Sequence, residues 1–114
     1  MKILAKLIDI QHPPRLSLVI FDAPHRRMHV RVIQEYRKSL AKACAIACIE
    51  YPIDYPIDLE VTFVNPTSPD MGNLYLALEQ AMDGGTLTPP GIVVDDSLMS
   101  KVTMMKLWIG QKKK

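Results

Sequence analysis

With 114 residues, 48% of them hydrophobic, the chain is of a length and composition for one domain with a modest core of its own. That composition excludes a disordered tract, no apolar run approaches the length of a bilayer span, and the N-terminus alternates charge with apolar residues instead of building a signal peptide. The net charge of +2 hides a segregation: residues 1–49 hold nine Lys or Arg against Asp9, Asp22 and Glu35, whereas residues 50–114 hold nine acids against five lysines.

Residues 2–10 alternate well enough for an edge strand, which Pro13-Pro14 stops. Residues 16–21 read as a second strand or a strand-like loop, and 22–27 as a turn or mobile loop. From 32 to 49 the period becomes helical. Val32, Tyr36, Leu40, Ala43, Cys44 and Ala47 share one face, with Gln34, Arg37, Lys38 and Lys42 elsewhere. The last turns, ACAIACI, are apolar all round, which predicts a helix end buried in the core or against a second copy. Cys44 and Cys48 have no histidine or further cysteine near them in sequence, so they read as buried, reduced thiols of an intracellular protein and not as a metal site.

The tandem YPIDYPID at 51–58 is too short to define a repeat architecture, and its prolines break the helix and lead into a strand at 57–64. There Ile57, Leu59, Val61 and Phe63 face one way, and Asp58, Glu60 and Thr62 the other. Ser68-Pro69-Asp70 is a helix-start signal, Leu74, Ala77, Leu78 and Ala81 form the buried stripe of that helix, and Asp83-Gly84-Gly85 ends it. Residues 92–94 read as a short buried strand and 102–109 as the closing strand. The order predicts an α+β fold, a small single domain over 1–110 with a mixed β-sheet and two main helices. A basic tail, 111–114, follows it and is free to touch phosphate.

The most telling stretch runs from Pro69 to Asp96. Asp70 stands just before a helix, Asn73 lies in its first turn, and Asp95-Asp96 end the apolar run GIVV. Carboxylates at a helix start and a strand end can converge, and like charges a few ångströms apart raise each other's pKa unless a positive charge neutralises them. Mg²⁺ does this, taking one or two carboxylates, several waters and a substrate phosphate. The expectation is a metal-dependent phosphodiesterase site. The basic segment supplies the matching half: Arg26, Arg27, Arg31, Arg37, Lys38 and Lys42, beside His25 and His29, suit a nucleic-acid backbone. Each residue also has a plainer reading. The basic cluster can be a solvated helix face and Asp70 a favourable charge at a helix N-terminus. Asp95-Asp96 can form a turn, Asn73 can bond its own loop, Lys106 can be a solvated strand residue, and the seven methionines can be core filler.

In these residues the chain resembles the RusA family of phage and prophage Holliday-junction resolvases, which carry an Asp-x-Asp-Asn-Leu motif opening a helix, then an Asp-Asp pair, then a lysine on the final strand. Asp70, Asn73 and Leu74 match the first motif in register, Asp95 and Asp96 match the pair, and Lys106 falls at the lysine. Weaker matches are His12-Pro13-Pro14 after the first strand, His29-Val30, and Tyr36-Arg37 in the first helix. The similarity covers most of the chain in order and spacing. Two positions depart from it: Gly72 stands for the motif's second aspartate, and Leu76 for a lysine one turn on.

The resemblance implies a Mg²⁺-dependent (or Mn²⁺-dependent) endonuclease that resolves four-way and other branched DNA as a homodimer, in the cytoplasm of a bacterial or phage-infected cell. Asp70, Asp95 and Asp96 would hold the metal, with Lys106 completing the catalytic set. Arg26, Arg27, Arg31, Arg37, Lys38 and Asn73 would contact DNA. Two alternatives stay open: a junction-binding protein with weak or lost cleavage, and a small dimeric interaction protein without enzymatic activity.

Overall fold

The computed structural model describes residues 1–23, 30–66, 71–83 and 91–110, without the side chains of Met71, Asn73 and Asp96. Strands β1 (Lys2–Ile8) and β2 (Arg15–Phe21) precede helix α1 (Val30–Ile46); β3 (Ile57–Val64) precedes helix α2 (Met71–Met82); a 3₁₀ turn (Asp96–Leu98) then leads into β4 (Met99–Leu107). One four-stranded sheet results, in the order β1-β2-β3-β4. β1 is antiparallel to β2, while β2, β3 and β4 run parallel. The sheet is mixed, as the sequence predicts.

Parallel neighbours need a crossover, and α1 and α2 are the two crossovers, each stepping the chain one strand further in the same direction across the sheet. Right-handed crossovers that advance the same way lay both helices on one face. Burial follows from this. Leu16, Leu18 and Ile20 of β2 and Ile57, Leu59, Val61 and Phe63 of β3 are buried, while Ser17, Val19, Asp58, Glu60 and Thr62 between them are partly open. Tyr36, Leu40 and Cys44 of α1 and Leu74, Leu78 and Met82 of α2 close the same core. Among the described residues no helix is long and apolar enough to cross a membrane.

The end of α1 departs from the expectation of an end buried in the core. Ile49 is buried, but Ala45, Ile46 and Cys48 are exposed in the single chain, so only Cys44 of the two thiols is a buried one. The helix stops in a Schellman arrangement: Ile49 N–H donates to Cys44 O at 2.8 Å and Cys48 N–H to Ala45 O at 3.3 Å. Cys48 takes the left-handed conformation (φ 57) that such a stop requires. This turn swings Ile49 inward and leaves Ile46 outside.

Residues 92–94 do not form the expected sheet strand. Val93 makes only isolated bridges, to Ile53 and to Asp83, and its N–H donates to Met82 O at 3.0 Å. Ile53 N–H donates to Ile92 O and Val94 N–H to Ile53 O, so the segment clips the end of α2 to the chain before β3. Gly91 makes the clip: a Cβ there would run into the carbonyl of Asp83.

Candidate functional site

Because β2, β3 and β4 are parallel, their carboxyl ends share one edge of the sheet, where ligand sites of such sheets gather. Two left-handed residues make the exits. Asp22 (φ 55) follows β2 and its N–H donates to Val64 O at 3.1 Å. Asn65 (φ 49) follows β3; its N–H donates to Leu107 O at 2.8 Å and its Oδ1 accepts the Ile109 N–H at 2.9 Å. Asparagine tolerates this conformation better than most residues, and here its amide ties the approach to α2 to the end of β4. The sequence reading missed Asn65.

Both helices start at this carboxyl edge and run back along the sheet. Arg31 is exposed in the first turn of α1, and Lys38 is exposed two turns later. Lys106 sits in β4 opposite Phe63, on the helix-covered face and partly buried. Met71 opens α2 one residue after Asp70, as the helix-start signal predicts. Asp70, Arg26 and Arg27 themselves lie outside the described residues, as does the side chain of Asn73.

Asp95 and Asp96 are at the other end. Asp95 is exposed, and its Oδ1 accepts the Ser97 N–H at 2.9 Å while its carbonyl accepts the Leu98 N–H at 3.1 Å, so it caps the 3₁₀ turn that feeds β4. Two residues earlier, Val93 bonds the last turn of α2. The 12 residues of α2 separate that turn from Met71 by about 17 Å. Along β4, Met99 and Lys106 are about 23 Å apart. The expectation that Asp95 and Lys106 belong to one cluster is therefore corrected for a single chain: Asp95 lies near neither Lys106 nor the opening turn of α2, while Asp70 and the side chain of Asp96 lie outside the described residues. The reason is that 92–94 is not a strand running to the carboxyl edge, so the aspartate pair marks the entry to a strand and not its end. Among the described residues no three His, Cys, Asp or Glu side chains gather to hold a metal.

Arg37 is a second correction. It is 2% exposed, and its Nε donates to Ala81 O at 3.1 Å while Nη2 donates to Gln80 O at 3.3 Å and Asp83 O at 2.7 Å. A guanidinium committed to the carbonyls that end α2 is a structural cap and not a contact for DNA. Its neighbour Tyr36 is fully buried, and burial pushes its phenol up to about 12. Burial likewise pushes the Cys44 thiol up to about 11. Both groups are held neutral and belong to the core. The sequence reading also missed a groove of about 600 Å³ at the amino edge, on the Asp95 side, lined by His12, Pro13, Pro14, Tyr55, Asp58 and Ser100.

No protein-family model matches this chain, and neither a curated protein nor a solved structure matches it.

Proposed function

We propose that this chain is a RusA-like protein of branched DNA: a homodimer that binds four-way junctions and cuts them as a Mg²⁺-dependent endonuclease. The observation that carries the reading is the shared carboxyl edge. The exit of β2 toward the basic residues 24–29, the exposed Arg31, the half-buried Lys106 and the opening of α2 directly after Asp70 all belong to it. A cationic edge with a helix N-terminus suits a phosphate backbone, and contacts of this kind give preference for DNA shape over base sequence. A two-fold dimer suits the substrate, because a junction is resolved by two symmetry-related cuts.

A second reading is favoured by two positions on α2. Gly72 is exposed in the first turn where the motif has an aspartate, and Leu76 is 44% exposed where it has a lysine. An exposed leucine in place of a cation fits a protein that retains junction binding with weak or lost cleavage.

One paired assay tests both. A gel shift comparing a four-way junction with linear duplex of equal length should show tighter binding to the junction; equal affinity for the two removes the branched-DNA reading. Incubation of the same complexes with Mg²⁺ or Mn²⁺ should yield paired nicks that Asp70→Asn abolishes without loss of binding. Binding without nicks in either metal selects the second reading.

A further inference from the structure

We propose that the groove between β1 and α1 docks an extended acidic peptide segment of a partner protein, with one bulky apolar side chain set against Leu4 and Ile46 and carboxylates on Lys2 and Lys42. This surface is separate from the carboxyl edge, and its role goes beyond the branched-DNA reading.

The groove has a volume of about 300 Å³ and is lined by Lys2, Ile3 and Leu4 from β1 and by Ser39, Lys42 and Ile46 from α1. That is room for one large side chain with the backbone on either side of it. The fold leaves the apolar part of the groove in water. Ile46 is 74% exposed and Leu4 46%, because the turn that carries Ile49 inward leaves Ile46 outside. Large apolar side chains scattered singly over a surface are ordinary, whereas two that share one concavity mark a binding surface. As an edge strand, β1 also turns the peptide groups of alternate residues away from β2, where an extended chain can take them.

Charge selects the occupant. Lys2 and Lys42 line the groove, Lys6 is exposed further along β1, and among the described residues no carboxylate lines it. The one acid of α1, Glu35, stands a turn before Ser39 and outside the groove. Neither Lys2 nor Lys42 makes an ion pair among the described residues. A second copy is a poor occupant, because a two-fold pairing of this groove with itself sets lysines against lysines. Lysines on an edge strand are an ordinary guard against such pairing, and the same charges attract an acidic strand. A nucleic-acid backbone answers the lysines but has no apolar group to cover Ile46 and Leu4. An acidic segment with a bulky apolar residue does both: it neutralises the rim while it covers the floor, and the Ser39 hydroxyl can donate to one of its carboxylates.

Fluorescence anisotropy with a labelled synthetic peptide, Asp-Glu-Asp-Phe-Asp-Glu, tests the proposal. The peptide should bind the full chain saturably, and more weakly as salt rises. Replacing its Phe by Ser, or its acids by Asn and Gln, should each weaken binding about tenfold or more. On the protein, Ile46→Ser and Lys42→Glu change exposed side chains and leave the core intact, and each should weaken binding about tenfold. Lys101→Glu makes the same charge change at an exposed position of β4 and should leave binding within about twofold. Lys42→Glu should also gain affinity for the peptide whose acids are replaced by lysine. A parent that does not bind the peptide, a peptide that binds as well without its Phe, or equal losses in Lys42→Glu and Lys101→Glu overturn the proposal. So does sedimentation in which Ile46→Ser turns a parent dimer into a monomer, which gives the surface to a second copy. A loss of junction binding by Ile46→Ser as large as its loss of peptide gives the surface to DNA and overturns the proposal too. A parent without preference for junctions refutes the branched-DNA reading and leaves the peptide result standing.

Discussion

The guanidinium of Arg37 in α1 donates to the main-chain carbonyl of Asp83, 2.7 Å away at the end of α2, and this bond ties together two crossover helices that also share a core. A helix end leaves carbonyls unsatisfied and partly negative, and a buried cation answers both needs at once. Arg37→Ala removes the donors to three carbonyls and should lower stability to urea by about 3 kcal/mol. Arg37→Lys keeps the charge without the planar fork and should recover part of that loss. The folded Arg37→Lys protein should bind DNA with an unchanged salt slope. A slope flatter by one would mean that Arg37 reaches phosphate after all.

Gly91 sets a comparable constraint by shape. A Cβ there would meet the Asp83 carbonyl, which is backbone and cannot swing aside, and the carbonyl of Met82 lies at 2.6 Å. Gly91→Ala should therefore cost about 3 kcal/mol and loosen the Val93 bond to Met82, seen as faster amide exchange at Val93. Slow exchange and parental stability would show that the clip has slack.

Tyr36 gives the fold an alkaline limit. Its phenol ionises near its ordinary 10.0 in the unfolded chain but at about 12 when buried. Between these values the folded protein holds a proton that the unfolded chain has lost. The contribution is fully present below pH 10 and is lost as pH rises toward 12, at no more than about 1.4 kcal/mol per pH unit. Cys44 acts in the same direction from 9.0 to about 11. The Tyr36 hydroxyl has no hydrogen-bond partner among the described residues, so Tyr36→Phe should cost little at pH 7 and should flatten the loss above pH 10. A parental alkaline slope in that variant would place the titrating group elsewhere.

The architecture was legible because periodicity reports burial. The alternation of Ile57, Leu59, Val61 and Phe63 and the stripe of Leu74, Ala77, Leu78 and Ala81 reach the core as their spacing requires. Three features were not legible, each for a non-local reason. Arg37 reads as a surface cation because nothing near it in sequence reveals the carbonyls 44 residues away that it bonds. The run at 92–94 has strand composition, but its backbone partners are Ile53 and the end of α2, which are distant in sequence from it and not strands of the sheet. The apolar end of α1 is turned by a left-handed Cys48, which spacing cannot reveal. Of the candidate site, the helix start after Asp70 and the place of Lys106 on the last strand were readable from local signals. Which end of β4 received Asp95 depended on whether 92–94 joined the sheet.

Gly72 separates local helix energetics from chemistry in one substitution. It is exposed in the first turn of α2, a turn that contains no acidic residue. Gly72→Asp removes the helical penalty of glycine and adds a negative charge at the positive end of the helix dipole, so stability should rise by about 1 kcal/mol whatever the protein does. If the RusA-like reading holds, the same carboxylate supplies the motif's missing aspartate, and junction cutting at limiting Mg²⁺ should increase at least several-fold, with the required Mg²⁺ falling. The two readouts are independent: urea unfolding reports the first, and a Mg²⁺ titration of cleavage reports the second. A variant that is more stable yet needs as much Mg²⁺ as the parent keeps the helix argument and removes the missing-ligand one. A variant that is not more stable shows that Gly72 is held by a constraint the dipole does not outweigh.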